Sequence, residues 1–308
     1  MEIKQLREGS PPLVAARPVV ALGHFDGFHR GHAAVLAAAA DLARRRGAPL
    51  LVFTFAADDA PKSGALLSDD GERASHFAAA AADYAVFSAF SALAHLTPRA
   101  FVQEILLGKL RAAVAVTGED FRFGAGAAGD AALLASLLAE AGAEAVTVPP
   151  VTEGGEKISS TRIRRALKRG DCREVTALLG RPYTVSHTVL HGRHLGHTLG
   201  FPTVNGCPAP HRALPLAGVY GTAVTTADGR CFRAVTNVGT RPTVGDADLR
   251  IETHILDFSG DLYGERVTVA FLTRLREERR FPTLSALAEQ IANDCKEIRL
   301  WNTPNGHN

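Results

Sequence analysis

The chain has 308 residues, 46% of them hydrophobic, with 34 basic and 32 acidic side chains and a formal net charge of +2. This length supplies two domains of ordinary size with real cores. The near-neutral balance provides no global field to gather nucleic acid or an anionic membrane, so any anion site must be local. The charged opening, followed by Pro11-Pro12, does not fit a signal peptide, and no apolar run reaches the ~18 residues of a membrane span. Cys172, Cys207, Cys231 and Cys295 are scattered without a Cys-x-x-Cys pair, which fits reduced thiols in a cytoplasmic protein.

The first informative stretch joins an apolar, β-branched run at 18–22, expected as a buried parallel strand, to an Ala-rich run at 33–46, expected as a helix. Between them stands Gly23-His24-Phe25-Asp26-Gly27-Phe28-His29-Arg30-Gly31-His32. A strand-to-helix turn presents unpaired N–H groups and the positive end of the helix dipole. Gly27 and Gly31 let an anion approach the backbone. His29 and His32, three apart, can lie on one side and donate to that anion or carry charge toward it. Zinc ligation is disfavoured because no cysteine lies near to complete a ligand set. An ordinary capping or surface pair is the alternative.

The three arginines at 44–46 before Gly47 read as a helix end with dipole-matching cations. Strands are expected at 50–55, 84–87, 114–117 and 145–148, and helices at 70–82, 97–107 (capped by Thr97, with Pro98 first) and 130–141. Five strands alternating with helices make a parallel, helix-covered sheet. Gly118-Glu119-Asp120-Phe121-Arg122-Phe123-Gly124 follows a strand end on the same edge as the histidines, which makes it a candidate substrate loop rather than a plain surface turn. Residues 158–167 start a further helix with Ser159, Ser160 and Thr161 as caps. Arg162, Arg164 and Arg165 on its first turn oppose the helix dipole, an arrangement that makes sense if a polyphosphate completes it.

Around Gly180-Arg181-Pro182 helical patterns give way to strand-like runs at 183–190, 218–226, 231–238, 251–256 and 265–272, the pattern of a small antiparallel barrel. A long helix at 284–299, capped by Thr283, closes this part, before a polar tail at 302–308. Domains are therefore expected at 1–180 and 181–308. Inside the second, Thr203 and Asn205 supply hard oxygen atoms suited to Mg2+ carrying phosphates. Alternation places Ile251, Thr253 and Ile255 on one strand face and Glu252, His254 and Leu256 on the other. A carboxylate among apolar neighbours there suits a general base; a solvent-facing polar residue is the plainer alternative.

Six runs in order carry a resemblance over nearly the whole chain: the Gly-His-Phe-Asp-Gly-Phe-His-Arg-Gly-His turn, Gly-Glu-Asp-Phe-Arg-Phe-Gly, Ser-Ser-Thr-Arg-Ile-Arg, Leu-Gly-Phe-Pro-Thr-Val-Asn, Asn-Val-Gly-Thr-Arg-Pro-Thr and Leu-Asp-Phe-Ser-Gly-Asp-Leu-Tyr-Gly. The chain resembles the bacterial bifunctional riboflavin kinases/FMN adenylyltransferases, or FAD synthetases. The resemblance implies a Rossmann-like nucleotidylyltransferase domain followed by a riboflavin kinase barrel with a closing helix. It implies ATP, riboflavin and FMN as substrates, FAD as product and Mg2+ as cofactor, with small molecules as partners; the sequence does not set the oligomeric state, for which a monomer or weak homo-oligomer is the expectation. In the first domain it assigns His29 and His32 to transition-state stabilisation. It assigns Gly23, Phe25, Asp26, Gly27, Gly31, Ser160, Thr161, Arg162 and Arg164 to ATP, and Asp120, Phe121 and Phe123 to flavin. In the second it assigns Glu252 as base, Gly192, Gly196, Gly200, Pro202, Thr203 and Asn205 to ATP, Thr203 and Asn205 also to the metal, and Asn237, Gly239, Thr240 and Arg241 to flavin.

Two departures stand out. Thr54-Phe55 is followed by Ala56-Ala57-Asp58-Asp59 where the family usually reads Thr-Phe-x-Pro-His-Pro, and two carboxylates there would repel an FMN phosphate. In the kinase loop, Gly196-His197 replaces the usual Gly-Arg, and His194 stands where glycine is common. The alternatives are a kinase whose first domain is impaired or repurposed, and a flavin-binding regulator without turnover.

Overall fold

A computed structural model describes residues 1–6, 11–14, 16–59, 64–190, 200–209, 211–242 and 247–301. The chain forms two compact units, Met1–Ser160 and Thr161–Asn308.

The first unit contains strands β1 (Glu2–Lys4), β2 (Val19–Leu22), β3 (Leu50–Phe55), β4 (Tyr84–Ser88), β5 (Val114–Gly118), β6 (Arg122–Phe123), β7 (Gly129–Asp130), β8 (Glu144–Val148), β9 (Thr152–Glu153) and β10 (Glu156–Lys157). Its main sheet runs β1-β4-β3-β2-β5-β8, parallel throughout. Helices α1 (Arg30–Arg46), α2 (Asp70–Ala79), α3 (Phe90–Leu93), α4 (Pro98–Ala100) and α5 (Ala131–Glu140) connect the strands. The central strands β2 and β3 are almost wholly apolar because both sheet faces are covered there. Val20, Leu22, Leu51, Phe53 and Ala115 enter one core with Phe101, Leu106 and Leu134. Their neighbours Val19, Ala21, Leu50, Val52 and Val114 enter the other, with Val35, Leu36 and Ala39 of α1. α1 ends on Gly47 (φ 59), whose N–H reaches back to Ala43 and Arg44.

The sequence reading did not name the short α3, β6, β7, β9 and β10, and two further differences touch the main sheet and its core. β1 adds a sixth strand at the sheet edge, too short at three residues to show a pattern. The helix expected at 97–107 keeps its Thr97 cap and first α-turn but winds as a π-helix over Phe101–Lys109. The buried positions Phe101, Val102, Ile105, Leu106 and Leu110 recur at steps of four to five residues, wider than an α-turn, and the wider winding keeps all of them in the core.

The second unit opens with α6, which starts at Ser160 (Ser160–Lys168), and α7 (Cys172–Leu179). A closed antiparallel barrel follows, built from β11 (Tyr183–Leu190), β12 (Val204–Gly206), β13 (Gly218–Thr225), β14 (Cys231–Pro242), β15 (Ala247–Ile255) and β16 (Arg266–Arg276), in the order β11-β12-β15-β14-β13-β16. The sequence reading found five of these; β12, only Val-Asn-Gly, closes the ring. Thr222, Thr236 and Thr253 point inward, and their hydroxyls form a row at 2.7 and 3.0 Å across three strands. The final helix, α8 (Leu284–Leu300), is capped by Thr283 and packs Cys295 and Ile298 on the outer barrel face against Val219, Val235 and Leu256, with Trp301 at the edge of the cluster. Arg276 holds buried Asp294 of α8 at 2.9 Å. Among the described residues, no helix is long and apolar enough to cross a membrane.

Candidate functional site

In the sheet, β2 is flanked by β3 on one side and β5 on the other, so the connections leaving it diverge and open a crevice at the strand ends. The turn after β2 fills that position. Phe25, Gly27 and Phe28 all adopt positive φ (52°, 79° and 40°), a conformation that costs a non-glycine residue roughly 1–2 kcal/mol. Buried aromatic contacts offset the cost: Phe25 meets Phe77 edge-on with centroids 5.4 Å apart, and Phe28 stacks on His76 at 4.6 Å. At Gly27 a Cβ would lie 2.8 Å from Leu67, so glycine is required there on two counts.

A buried polar network holds the turn from behind. The Asp26 carboxylate accepts from the Leu67 N–H (2.9 Å) and the Ser68 N–H (3.0 Å), and Ser68 Oγ in turn accepts from the Gly27 N–H at 2.8 Å. Ser160 Oγ donates to the Asp26 carbonyl at 2.9 Å. Arg73, fully buried, donates to the His24 carbonyl at 2.9 Å and to Thr54 at 3.2 Å, and pairs with Asp70.

His29 is the N-cap of α1, and its Nδ1 accepts from the His32 N–H at 3.3 Å. The two imidazoles stack with centroids 3.6 Å apart, and a Cβ at Gly31 would meet the His29 ring at 3.0 Å. Loss of water around its ring, then the neighbouring His29, His24 and Arg73, hold His32 well below the usual histidine range. Of the two roles the sequence left open for His32, hydrogen-bond donor or charge carrier, this lowered proton affinity favours the first.

Both histidines line a cavity of about 580 Å³ together with Gly23, Phe25, Gly31 and Ser160. A connected chain of phenylalanine rings also lines it: Phe90 on Phe55 (5.2 Å), Phe55 on Phe53 (6.0 Å), Phe53 on Phe101 (6.1 Å), Phe101 on Phe123 (5.7 Å) and Phe123 on Phe121 (5.7 Å). Phe53, Phe55 and Phe101 belong to a core cluster and Phe90 to the short α3; none of the four was singled out in the sequence. Asp120 also lines the cavity and pairs at 2.5 Å with Lys157, another lining residue that the sequence reading missed. Neither Asp58 nor Asp59 is among the lining residues. Thr161, Arg162 and Arg164 follow Ser160 along α6 in the second unit, where Arg162 Nε contacts Glu174 at 3.0 Å.

In the barrel, cross-strand register places Asn205 beside Glu252 and Glu252 beside Asn237, one row across β12, β15 and β14. Ile251, Thr253 and Ile255 are buried inside, so Glu252 faces outward as the alternation predicts. Its register neighbours are two amides, however, rather than apolar residues. Asn205 Nδ2 donates to the Thr203 carbonyl at 3.3 Å, and His254 Nδ1 donates to that of Pro202 at 2.8 Å. Asn237 Nδ2 donates to Glu278 at 2.9 Å; this carboxylate follows β16 and was absent from the sequence reading. Gly239, Thr240 and Arg241 continue β14, and Gly200 takes a positive φ of 81° ahead of β12. Gly192 and Gly196, with His194 and His197, lie outside the described residues.

Fold and sites together define a two-part enzyme, an α/β nucleotide-binding unit joined to a closed barrel with a carboxylate–amide row. The family model described as FAD synthetase matches residues 13–162, and that described as Riboflavin kinase matches 179–302. Proteins named bifunctional riboflavin kinase/FMN adenylyltransferase are similar along almost their full length. Those of Escherichia coli K12 (38% identical, 90% of each chain), Pseudomonas fluorescens (37%, 94% of each) and Bacillus subtilis (32%, 93% of each) are examples. A crystal structure titled as a macrolide-efflux protein from Streptococcus pneumoniae shares the fold, with a TM-score of 0.88 and 30% identity over 98% of this chain and 100% of that one. The chain belongs to the bifunctional riboflavin kinase/FMN adenylyltransferase family.

Proposed function

We propose that the barrel unit phosphorylates riboflavin to FMN and that the α/β unit adenylylates FMN to FAD. The observation that carries this reading is the single cavity that joins a helix-start anion turn to a wall of six phenylalanine rings, an arrangement matched to a triphosphate at one end and a planar aromatic ring system at the other.

In the barrel, the 5′-hydroxyl of riboflavin attacks the γ-phosphorus of ATP. The new O–P bond forms as the bond to the ADP oxygen breaks, and Glu252 takes the hydroxyl proton. Asn205 and Asn237, in register on either side of Glu252, fix its setting. In-line transfer of this kind depends mainly on positioning and charge neutralisation. Thr203 and Asn205 offer only oxygen donors for a metal, the chemistry that suits Mg2+ held jointly with nucleotide phosphates; bound there, it would neutralise phosphate charge. Gly192, Gly196, Gly200 and Pro202 are assigned to ATP, and Gly239, Thr240 and Arg241 with Asn237 to flavin.

In the α/β unit, an FMN phosphate oxygen attacks the α-phosphorus of a second ATP and pyrophosphate leaves. His29 and neutral His32 donate to the crowded phosphorus centre. Ser160, Thr161, Arg162 and Arg164 bind the departing pyrophosphate, and Phe121 and Phe123 with Asp120 hold the flavin. Asp26 serves this site through the backbone it latches, not through its carboxylate. The cytoplasm, where these nucleotides are abundant, is the proposed setting.

The test is to incubate the protein with riboflavin, ATP and Mg2+ and separate the flavins over time. FMN first and then FAD is expected. FMN accumulating without FAD would overturn the second assignment, and no product would overturn both.

A further inference from the structure

The segment after β3, where Ala56-Ala57-Asp58-Asp59 stands, does not place its charges in the cavity. It is tied down at several points. The Ala56 N–H bonds to the Ser88 carbonyl at 2.9 Å, continuing the β3–β4 pairing, and the Ala57 N–H donates to Asp70 at 3.0 Å. Asp70 is itself paired with buried Arg73. From this anchored base Asp59 reaches across to α3, where one carboxylate oxygen accepts both the Ser91 N–H (3.0 Å) and the Ser91 hydroxyl (2.7 Å).

α3 is only Phe90–Leu93, and its N-cap residue, Ala89, provides no side-chain cap. A single turn of helix does not hold itself together in water. Its first free N–H groups need an acceptor, and Asp59 supplies from 32 residues away what Ala89 cannot. The turn so held carries Phe90, Leu93 and Ala94 into the cavity lining, and Phe90 begins the chain of rings by meeting Phe55 edge-on at 87°.

We infer that Asp59 is a positioning residue for the aromatic end of the cavity, capping α3 from outside so that Phe90 and Leu93 stand where a flavin ring packs. The inference rests on the reading of the α/β unit as an FMN adenylyltransferase. The hydrogen bonds from Ser91 also hold the Asp59 carboxyl below its ordinary range, so the cap is present at neutral pH.

The experiment compares wild type, Asp59→Ala, Asp59→Asn and Ser91→Ala in steady-state FMN adenylylation, with FMN binding measured calorimetrically and riboflavin phosphorylation measured on the same preparations. Asp59→Ala should raise KM for FMN about 3- to 10-fold, as expected for the loss of a cap, with kcat and KM for ATP nearly unchanged. Asp59→Asn, which keeps an acceptor oxygen, should restore the wild-type KM, and Ser91→Ala, which keeps the backbone donor, should fall between. A far-UV circular dichroism spectrum matching wild type would verify that each preparation is folded, with riboflavin phosphorylation as the control on the barrel unit. A KM for FMN that does not move in Asp59→Ala, or a KM for ATP that rises equally, overturns the inference while leaving the adenylyltransferase reading intact. Wild type that neither binds FMN nor forms FAD takes both down.

Discussion

Replacing Asp26 with alanine tests how the nucleotide turn is held. The side chain is 2% exposed and accepts from the Leu67 and Ser68 backbone amides, in a place where those residues are themselves buried. Alanine leaves two buried N–H groups without an acceptor at about 1–3 kcal/mol each, a total of roughly 2–6 kcal/mol before the segment relaxes. That is a large fraction of the 5–15 kcal/mol that typically stabilises a domain. Ser68, which supports the Gly27 N–H, would lose its own anchor, and the positive-φ conformations of Phe25 and Phe28 would lose the frame that keeps them. The expected result is faster hydrogen–deuterium exchange across residues 64–68, a lower urea midpoint by far-UV circular dichroism, and FAD formation down about tenfold or more, with riboflavin phosphorylation nearly intact. Asp26→Asn keeps the acceptor oxygen and should cost only about 1 kcal/mol. Unchanged exchange in the alanine variant would refute the latch. An asparagine variant as inactive as the alanine one would show that the charge acts on the nucleotide directly.

Glu252→Ala should slow riboflavin phosphorylation by about 100-fold or more while leaving adenylylation of added FMN unaffected, measured by separating the products of each reaction. Glu278→Ala, which removes the acceptor of Asn237 Nδ2, should raise KM for riboflavin several-fold, and Glu278→Gln should rescue it; equal values in all three proteins would refute the positioning of Asn237. Burial lowers the proton affinity of His187, as it does first of all for His32, from an ordinary value of 6.5. Below that pH the unfolded chain binds protons that the native chain does not, so stability should fall as pH drops from about 7 toward 5. His187→Leu should flatten part of that slope in urea titrations at stepped pH, and an unaltered slope would rule out its contribution.

The readability of the sequence followed the range of the interactions involved. Strands buried on both faces, such as Val19–Leu22 and Leu50–Phe55, are apolar runs by necessity, and the turn between β2 and α1 announces itself through its glycines and histidines. Alternation in 251–256 correctly sorted Ile251, Thr253 and Ile255 to the barrel interior. The π-winding of 101–109 was hidden because its amino acids are ordinary helix formers, and only the width of the core-facing stripe selects the looser coil. β12 was hidden because three residues including a glycine carry no periodicity. The roles of Asp26, Asp59 and Glu278 depend on partners 41, 32 and 41 positions away, so no local pattern exposes them. The same separation explains why two carboxylates beside a flavin site look repulsive in the sequence when Asp59 is occupied by Ser91 in the fold.

Trp301 is the chain's single tryptophan, and it sits where α8 closes over the barrel, with the Arg233 guanidinium 5.7 Å above its ring. Indole emission from this protein therefore comes entirely from the second compact unit, while the α/β unit, with its phenylalanine-lined cavity, is silent at those wavelengths. The molecule thus carries its own optical partition: the tryptophan signal follows melting of the barrel, and a comparison with backbone dichroism reveals whether the two units unfold together or in succession.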